Sequence, residues 1–346
     1  MSDSRAIQFS RRGFLAAGGA TALGALLTAC GGDDGSGSAK ASGGGAWTFT
    51  DDRKKPVSLP AKPTRIVAYV GAAAILQDYG VADRVKGVFG PTKLKDGSRD
   101  PQAGELDVNK VTIIGNAYGE FNIEKYASLR PEVLVGHMFV ANDIFYVPPE
   151  SKDKILGLAP QVAISTGALP LPTPIERYAQ LAASLGADLN SAQVTAAKTR
   201  FEKAAESVRQ AAKAAAARAG GLKVLACSAS PDLFYASNPG KNSDLMYFKE
   251  LGVDIIVPNK LDKDDYFEGL SWENADKYKA DLLLLDSRTQ ALQPKDLGSK
   301  PSWKDLPAVK ANQVLPWQPE PRFSYAGCAP ILEELAKTLQ TVKKVS

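Results

Sequence analysis

The chain has 346 residues, of which 44% are hydrophobic and 23% charged, the proportions of a folded globular protein. The formal net charge is +4, and it falls to +2 once residues 1–30, with three arginines and one aspartate, are set aside, so no charge argument for nucleic-acid binding survives. One histidine in the whole chain argues against a multi-histidine zinc or manganese centre, and about 300 residues fit to fold point to two domains rather than one.

The N-terminus reads as an export signal. Ser10-Arg11-Arg12-Gly13-Phe14-Leu15 has the form of a twin-arginine motif. The Ala/Gly-rich apolar stretch 14–27 falls short of the ~20 residues that span a bilayer. It ends in Leu26-Leu27-Thr28-Ala29-Cys30, the pattern of a bacterial lipobox, in which a small residue precedes a lipidated cysteine. Residues 1–29 are therefore read as a signal peptide and Cys30 as the acylated start of the mature chain, with an uncleaved apolar anchor as the alternative. Residues 30–46, rich in Gly and Ser, cannot bury apolar surface and read as a flexible linker of roughly 20 Å mean span. No second long apolar run follows, so the body is not expected to enter the membrane.

The body alternates strand and helix. Candidate strands lie at 64–70, 86–89, 111–115, 133–137 and 162–165, with helical stretches such as 72–79 and 123–129 between them. Continuous Val/Ile/Leu runs bounded by Gly or Pro suit a parallel sheet covered by helices. A helix opened by Pro174 and closed by Gly186 follows. Ser191 then caps a second helix, which runs without Gly or Pro to about Ala219 and would be roughly 40 Å long. After Gly220-Gly221 the rhythm restarts, with candidate strands at 223–228, 233–236, 253–257, 281–286 and 313–317 and a last helix at about 329–342. The expected architecture is α/β: a first lobe at 47–190, a long helix at 191–219 and a second lobe at 220–346. Cys227 and Cys328 are left either as a disulfide, permitted outside the cytoplasm, or as two buried thiols.

The first half contains the phrases Pro63-Thr64-Arg65-Ile66-Val67, Asn122-Ile123-Glu124 and Leu129-Arg130-Pro131-Glu132-Val133. The second half contains Ser271-Trp272-Glu273, Tyr278-Lys279-Ala280-Asp281 and Leu306-Pro307-Ala308-Val309-Lys310. Together these phrases resemble the iron-siderophore and cobalamin class of substrate-binding lipoproteins of ABC transporters. The resemblance covers about residues 47–343. It implies two Rossmann-like lobes joined by one rigid helix, the class III periplasmic-binding-protein fold, and a monomer working with permease subunits and their ATPase. It also implies that Glu124 and Glu273 are the carboxylates, one on each lobe, that dock on the permease.

In open α/β sheets, ligands bind beyond the carboxyl ends of the strands. That rule nominates Tyr69, Tyr118, His137, Phe139 and Tyr146 in the first lobe, and Tyr235, Trp317, Arg322 and Tyr325 in the second. Tyr and Trp offer rigid faces with one polar atom, which suits a bulky amphipathic ligand. Anionic catecholate complexes call for clustered Lys or Arg, and only Arg322 stands plainly at an expected cleft edge, so a near-neutral ferric hydroxamate siderophore fits better. Iron would be held through the siderophore, with no metal bound directly by the protein and no resident cofactor. Cobalamin or haem is the alternative ligand, with His137 as its one candidate axial donor. An exported hydrolase is the alternative of another class. It finds neither a G-x-S-x-G elbow nor a phosphate-binding glycine loop nor a second histidine, so no enzyme is expected.

Overall fold

A computed structural model describes residues 45–346 of the chain. The stretch read above as a signal peptide, Cys30 and most of the stretch read as a linker lie outside the described residues. The first element is a hairpin absent from the expected strands, β1 (Trp47–Thr50) antiparallel to β2 (Pro56–Leu59). Trp47 and Phe49 face inward while Thr48 and Thr50 face solvent, the period of two expected of a half-buried strand. Asp51, buried in the turn, accepts the amides of Arg53 and Lys55 and, from the neighbouring sheet, the amide of Ala163.

That sheet comprises β3 (Ile66–Tyr69), β4 (Val85–Phe89), β5 (Thr112–Gly115), β6 (Val133–Met138) and β7 (Gln161–Ser165). Its order is β5-β4-β3-β6-β7, and every pairing is parallel. The central strand β3 is buried throughout, which is why it reads as an unbroken apolar run. Helices α1 (Val70–Asp78), α2 (Ile123–Ser128), α3 (Lys152–Leu158) and α4 (Pro172–Leu185) accompany it. Gly186 ends α4 at a φ of 109°, a conformation that costs a residue with a Cβ dearly.

Helix α5 (Ala192–Ala216) then runs for 25 residues, about 38 Å, with the Ser191 hydroxyl accepting the Val194 amide. The second sheet contains β8 (Val224–Ala229), β9 (Leu233–Ser237), β10 (Phe267–Ser271), β11 (Leu282–Asp286) and β12 (Val314–Trp317), with α6 (Ser243–Glu250) between β9 and β10. Three short helices, α7 (Pro294–Leu297), α8 (Pro301–Asp305) and α9 (Pro307–Lys310), each start on a proline and lead to β12. The order is β10-β9-β8-β11-β12; β9 runs antiparallel to both neighbours, and the other pairs are parallel.

Residues 253–257 do not form the expected strand. Ile255 makes a single parallel bridge to Val224, because the rest of that edge of β8 is taken by β9. The edge place in the sheet belongs instead to β10, whose Glu268 and Gly269 disguise it in the sequence. The last helix, α10 (Tyr325–Thr341), starts earlier than expected because Ser324 caps it by accepting the Gly327 amide.

Helix α10 lies along α5, and one continuous core joins the first sheet, α4, α5, α10 and the inner face of the second sheet. On β8 and β11 the alternate residues Leu225, Cys227, Leu283 and Leu285 face a separate apolar cluster with Trp303 on the far side. Cys227 and Cys328 are both buried free thiols, and they belong to these two different clusters. The disulfide alternative therefore does not hold here, because the second sheet stands between the two thiols.

Candidate functional site

The segments that follow β6, β11 and β12 converge on a cavity of about 240 Å³ between the sheets. One wall is the loop after β6. It turns through positive φ at Asn142 (62°) and Tyr146 (64°), and the Phe145 amide donates back to the His137 carbonyl. These turns present Phe139, Phe145 and Tyr146 to the cavity. The opposite wall comes from the second lobe: Asn242, Tyr266, Phe267, Arg288 and Glu320. The Tyr266 hydroxyl donates to the Phe139 carbonyl at 2.8 Å and so ties the two walls together. A wider, shallow groove of about 660 Å³ lies on the outer face of α5 and is lined by small and charged residues, with no aromatic.

Aromatic rings form a continuous path into the cavity floor. Tyr118, 70% exposed at the mouth, meets Tyr146 edge-on at 5.4 Å, and Tyr146 lies 5.5 Å from the buried Tyr69. Burial and the nearby Glu320 carboxylate push the Tyr146 phenol upward, so it stays a neutral hydrogen-bonding group.

Below the rings sits a charged cluster. Arg288 follows β11 directly and forms a fork with Asp286, Nη2 to Oδ2 at 2.7 Å and Nε to Oδ1 at 3.0 Å. Its Nη1 donates to Glu320 Oε1 at 2.6 Å. The other oxygen of Glu320 accepts the Tyr69 hydroxyl at 2.8 Å and Gln102 Nε2 at 2.7 Å. Donors from both lobes thus meet on one carboxylate. A guanidinium has five N–H groups and these bonds use three, which leaves one on each Nη without a partner among the described residues.

Of the residues nominated from the sequence, the structure brings Tyr118, Phe139 and Tyr146 to the cavity. The others lie elsewhere, each for a visible reason. Tyr69 is 1% exposed and supports the floor from beneath. His137 is packed edge-to-face among Tyr69, Tyr178 and Phe323, and its Nδ1 meets the Tyr178 hydroxyl at 2.5 Å. Trp317 is in the core, with its indole N–H donating to Asp244 at 2.6 Å. Tyr235 sits beside Phe267 without reaching the cavity. Arg322 turns away to Asp78 of α1 at 3.2 Å, and Tyr325 packs on Phe201 of α5.

Arg288 and Glu320 also line the cavity and are not among the nominated residues. Arg288 stands two positions past the end of the DLLLLD strand, where the strand-end rule would have found it. Glu320 was hidden by the two flanking prolines, which turn the chain so that Glu320, not Arg322, faces inward. Glu124, in the first turn of α2, and Glu273 are both exposed. Glu273 lies in a one-turn 3₁₀ segment, Trp272–Asn274, rather than an α-helix, and its own backbone amide and Ser271 lower its pKa.

Two buried groups titrate in opposite senses. Burial lowers His137 to about 3, so below pH 6.5 the unfolded chain takes up a proton that the fold refuses, and stability falls on acidification. Burial raises Asp244 to about 7 despite its bonds from Trp317 and the Leu245 amide, so the fold holds a proton that the unfolded chain releases above about pH 4. Stability from that group therefore rises on acidification. From pH 6.5 to 4.5, His137→Gln is expected to make the protein relatively more stable and Asp244→Asn relatively less stable, each by roughly 1 kcal/mol per pH unit. Urea denaturation of the variants and the parent at the two pH values checks both signs.

A family model described as periplasmic binding protein matches residues 66–321. The crystal structure of DesE, a ferric-siderophore receptor protein from Streptomyces coelicolor, is 51% identical, covers 87% of this chain and 100% of its own, and superposes with a TM-score of 0.83. The petrobactin-binding protein YclQ from Bacillus subtilis is 16% identical, with 86% and 99% of the two chains covered and a TM-score of 0.63. The heme-binding protein RhuT from Roseiflexus sp. RS-1 is 18% identical, with 80% and 97% covered and a TM-score of 0.54. These last two show likeness of fold alone, and a comparison with curated proteins finds no match. The chain belongs to the periplasmic binding protein family.

Proposed function

We propose that the protein captures a ferric siderophore of the hydroxamate type in the cavity between its lobes and hands it, chemically unchanged, to an ABC importer. The observation that carries this reading is the cavity's chemistry: an aromatic wall over a single guanidinium with two free N–H groups. Such a floor donates to the oxygens around a bound ferric ion while the rings cover the ligand's carbon chain. The 51% identity to a ferric-siderophore receptor supports it. A haem or cobalamin ligand is disfavoured because His137 is buried, engaged by Tyr178 and away from the cavity.

Ferric tri-hydroxamates are expected to quench the intrinsic fluorescence of the protein with one-to-one stoichiometry. Tyr118→Ala and Phe139→Ala should each weaken binding by about 1–2 kcal/mol. Arg288→Lys, which keeps the charge but loses the fork, should also weaken it. Wild-type affinity in all three variants would place the ligand elsewhere.

Periplasmic binding proteins act outside the cytoplasm, and no helix among the described residues is long and apolar enough to cross a membrane. We infer a lipid anchor at Cys30 from the lipobox. Cys30→Ala is expected to move the protein from the membrane pellet to the soluble fraction with its ligand affinity intact; retention in the pellet would argue for an uncleaved apolar anchor.

For delivery, the exposed Glu124 and Glu273 stand on different lobes and are the proposed contacts for basic sockets on the permease subunits. Cells carrying Glu124→Ala together with Glu273→Ala should lose uptake of the ferric ligand while the isolated variant binds it normally. Uptake at the parental rate would remove both residues from the docking surface.

A further inference from the structure

The charge on the cavity floor does not balance. Arg288 is the one guanidinium in the cavity lining, and it is shared by two carboxylates, Asp286 and Glu320. Asp286 alone forms the fork that neutralises it, and it also accepts the Ser228 hydroxyl at 2.8 Å. Glu320 is therefore in excess. Its remaining partners, Tyr69 and Gln102, are neutral donors that satisfy its lone pairs without cancelling its charge. It is 8% exposed and lines the cavity itself, so solvent screens it weakly. At the mouth the lining adds Asp143 and Asp264, both exposed and each beside a lysine, Lys152 at 3.4 Å and Lys263 at 3.9 Å. Those rim charges are weakly felt. The uncompensated charge that a ligand meets at close range is the one on Glu320.

We propose that Glu320 is a specificity-determining residue: it over-neutralises Arg288 and so excludes polyanionic ferric complexes, leaving neutral or cationic ones. This rests on the reading above that the ligand lies in this cavity against Arg288. A guanidinium with only Asp286 would present no net charge to an incoming anion; with Glu320 the floor is negative and repels it.

The test uses the full-length protein in detergent and two probes, a neutral ferric tri-hydroxamate and a trianionic ferric tris-catecholate. The parent is expected to prefer the neutral complex. Glu320→Gln keeps the shape and removes the charge, and should narrow that preference by about tenfold or more. Tyr69→Phe removes a bond to the same carboxylate without changing charge and should leave the preference where it was. If Glu320→Gln does not fold, Asp286→Asn removes the other carboxylate on the same guanidinium and must narrow the preference in the same direction. An unchanged preference in the charge variants, with parental affinity for the neutral complex, overturns the role of Glu320 alone. A shift in Tyr69→Phe as large as that in Glu320→Gln overturns it too, because packing rather than charge would then be the cause. Failure of the parent to bind either probe overturns the siderophore reading and this inference together.

Discussion

A single buried carboxylate holds the centre of this molecule together. Glu320 takes a phenol and an amide from the first lobe and a guanidinium from the second. Tyr69 ends β3, Arg288 follows β11 and Gln102 lies in a 3₁₀ turn, Pro101–Ala103, of the β4–β5 connection, so these segments are registered against one another across the cleft. Leaving such a carboxylate without donors would cost several kcal/mol. The surrounding turns are therefore constrained to supply them: Asp100 orders the turn that carries Gln102 by accepting its amide, and Gln293 holds the carbonyl of Arg288.

Much of the fold was legible from residue patterns. Strands β3 and β6 of the first sheet are buried on both faces, and their continuous apolar runs announce a parallel sheet. The long helix declared itself through its cap, its length and the absence of breakers. What could not be read were elements whose stability is tertiary. Strand β10 carries a glutamate and a glycine, and its edge place is secured by Lys277 and Tyr278 holding Glu268. The 253–257 segment has the better strand composition, but its neighbour already occupies the edge it would need.

The site was harder, for a reason that Trp317 and Arg322 illustrate. Both stand where the strand-end rule places ligand contacts, yet the rule fixes a position along the chain and not the direction of a side chain. Trp317 ends β12 facing the core, where Asp244 receives its N–H. Two prolines then rotate the chain before Arg322, whose partner is Asp78. Tyr118 and Tyr146 reach the cavity because loop turns, not strand pleating, set their direction. Position is written locally in the sequence, whereas orientation depends on partners distant along the chain, 73 residues away for Trp317 and 244 for Arg322.

The pairing of α10 with α5 has a mechanical meaning. One helix joining two lobes is a rod that bends, but two packed side by side and clamped by the Arg200–Glu333 fork resist bending as a beam does. The lobes are also stitched near the cleft by the Gly167–Asn242 bridge and by Ser243 donating to the Thr166 carbonyl. Large rotation of one lobe would have to break these seams together. The molecule is thus built as a fixed caliper, in which the spacing of features on its two arms is set at folding, and what a ligand can change is the rim of loops and aromatic rings at the mouth.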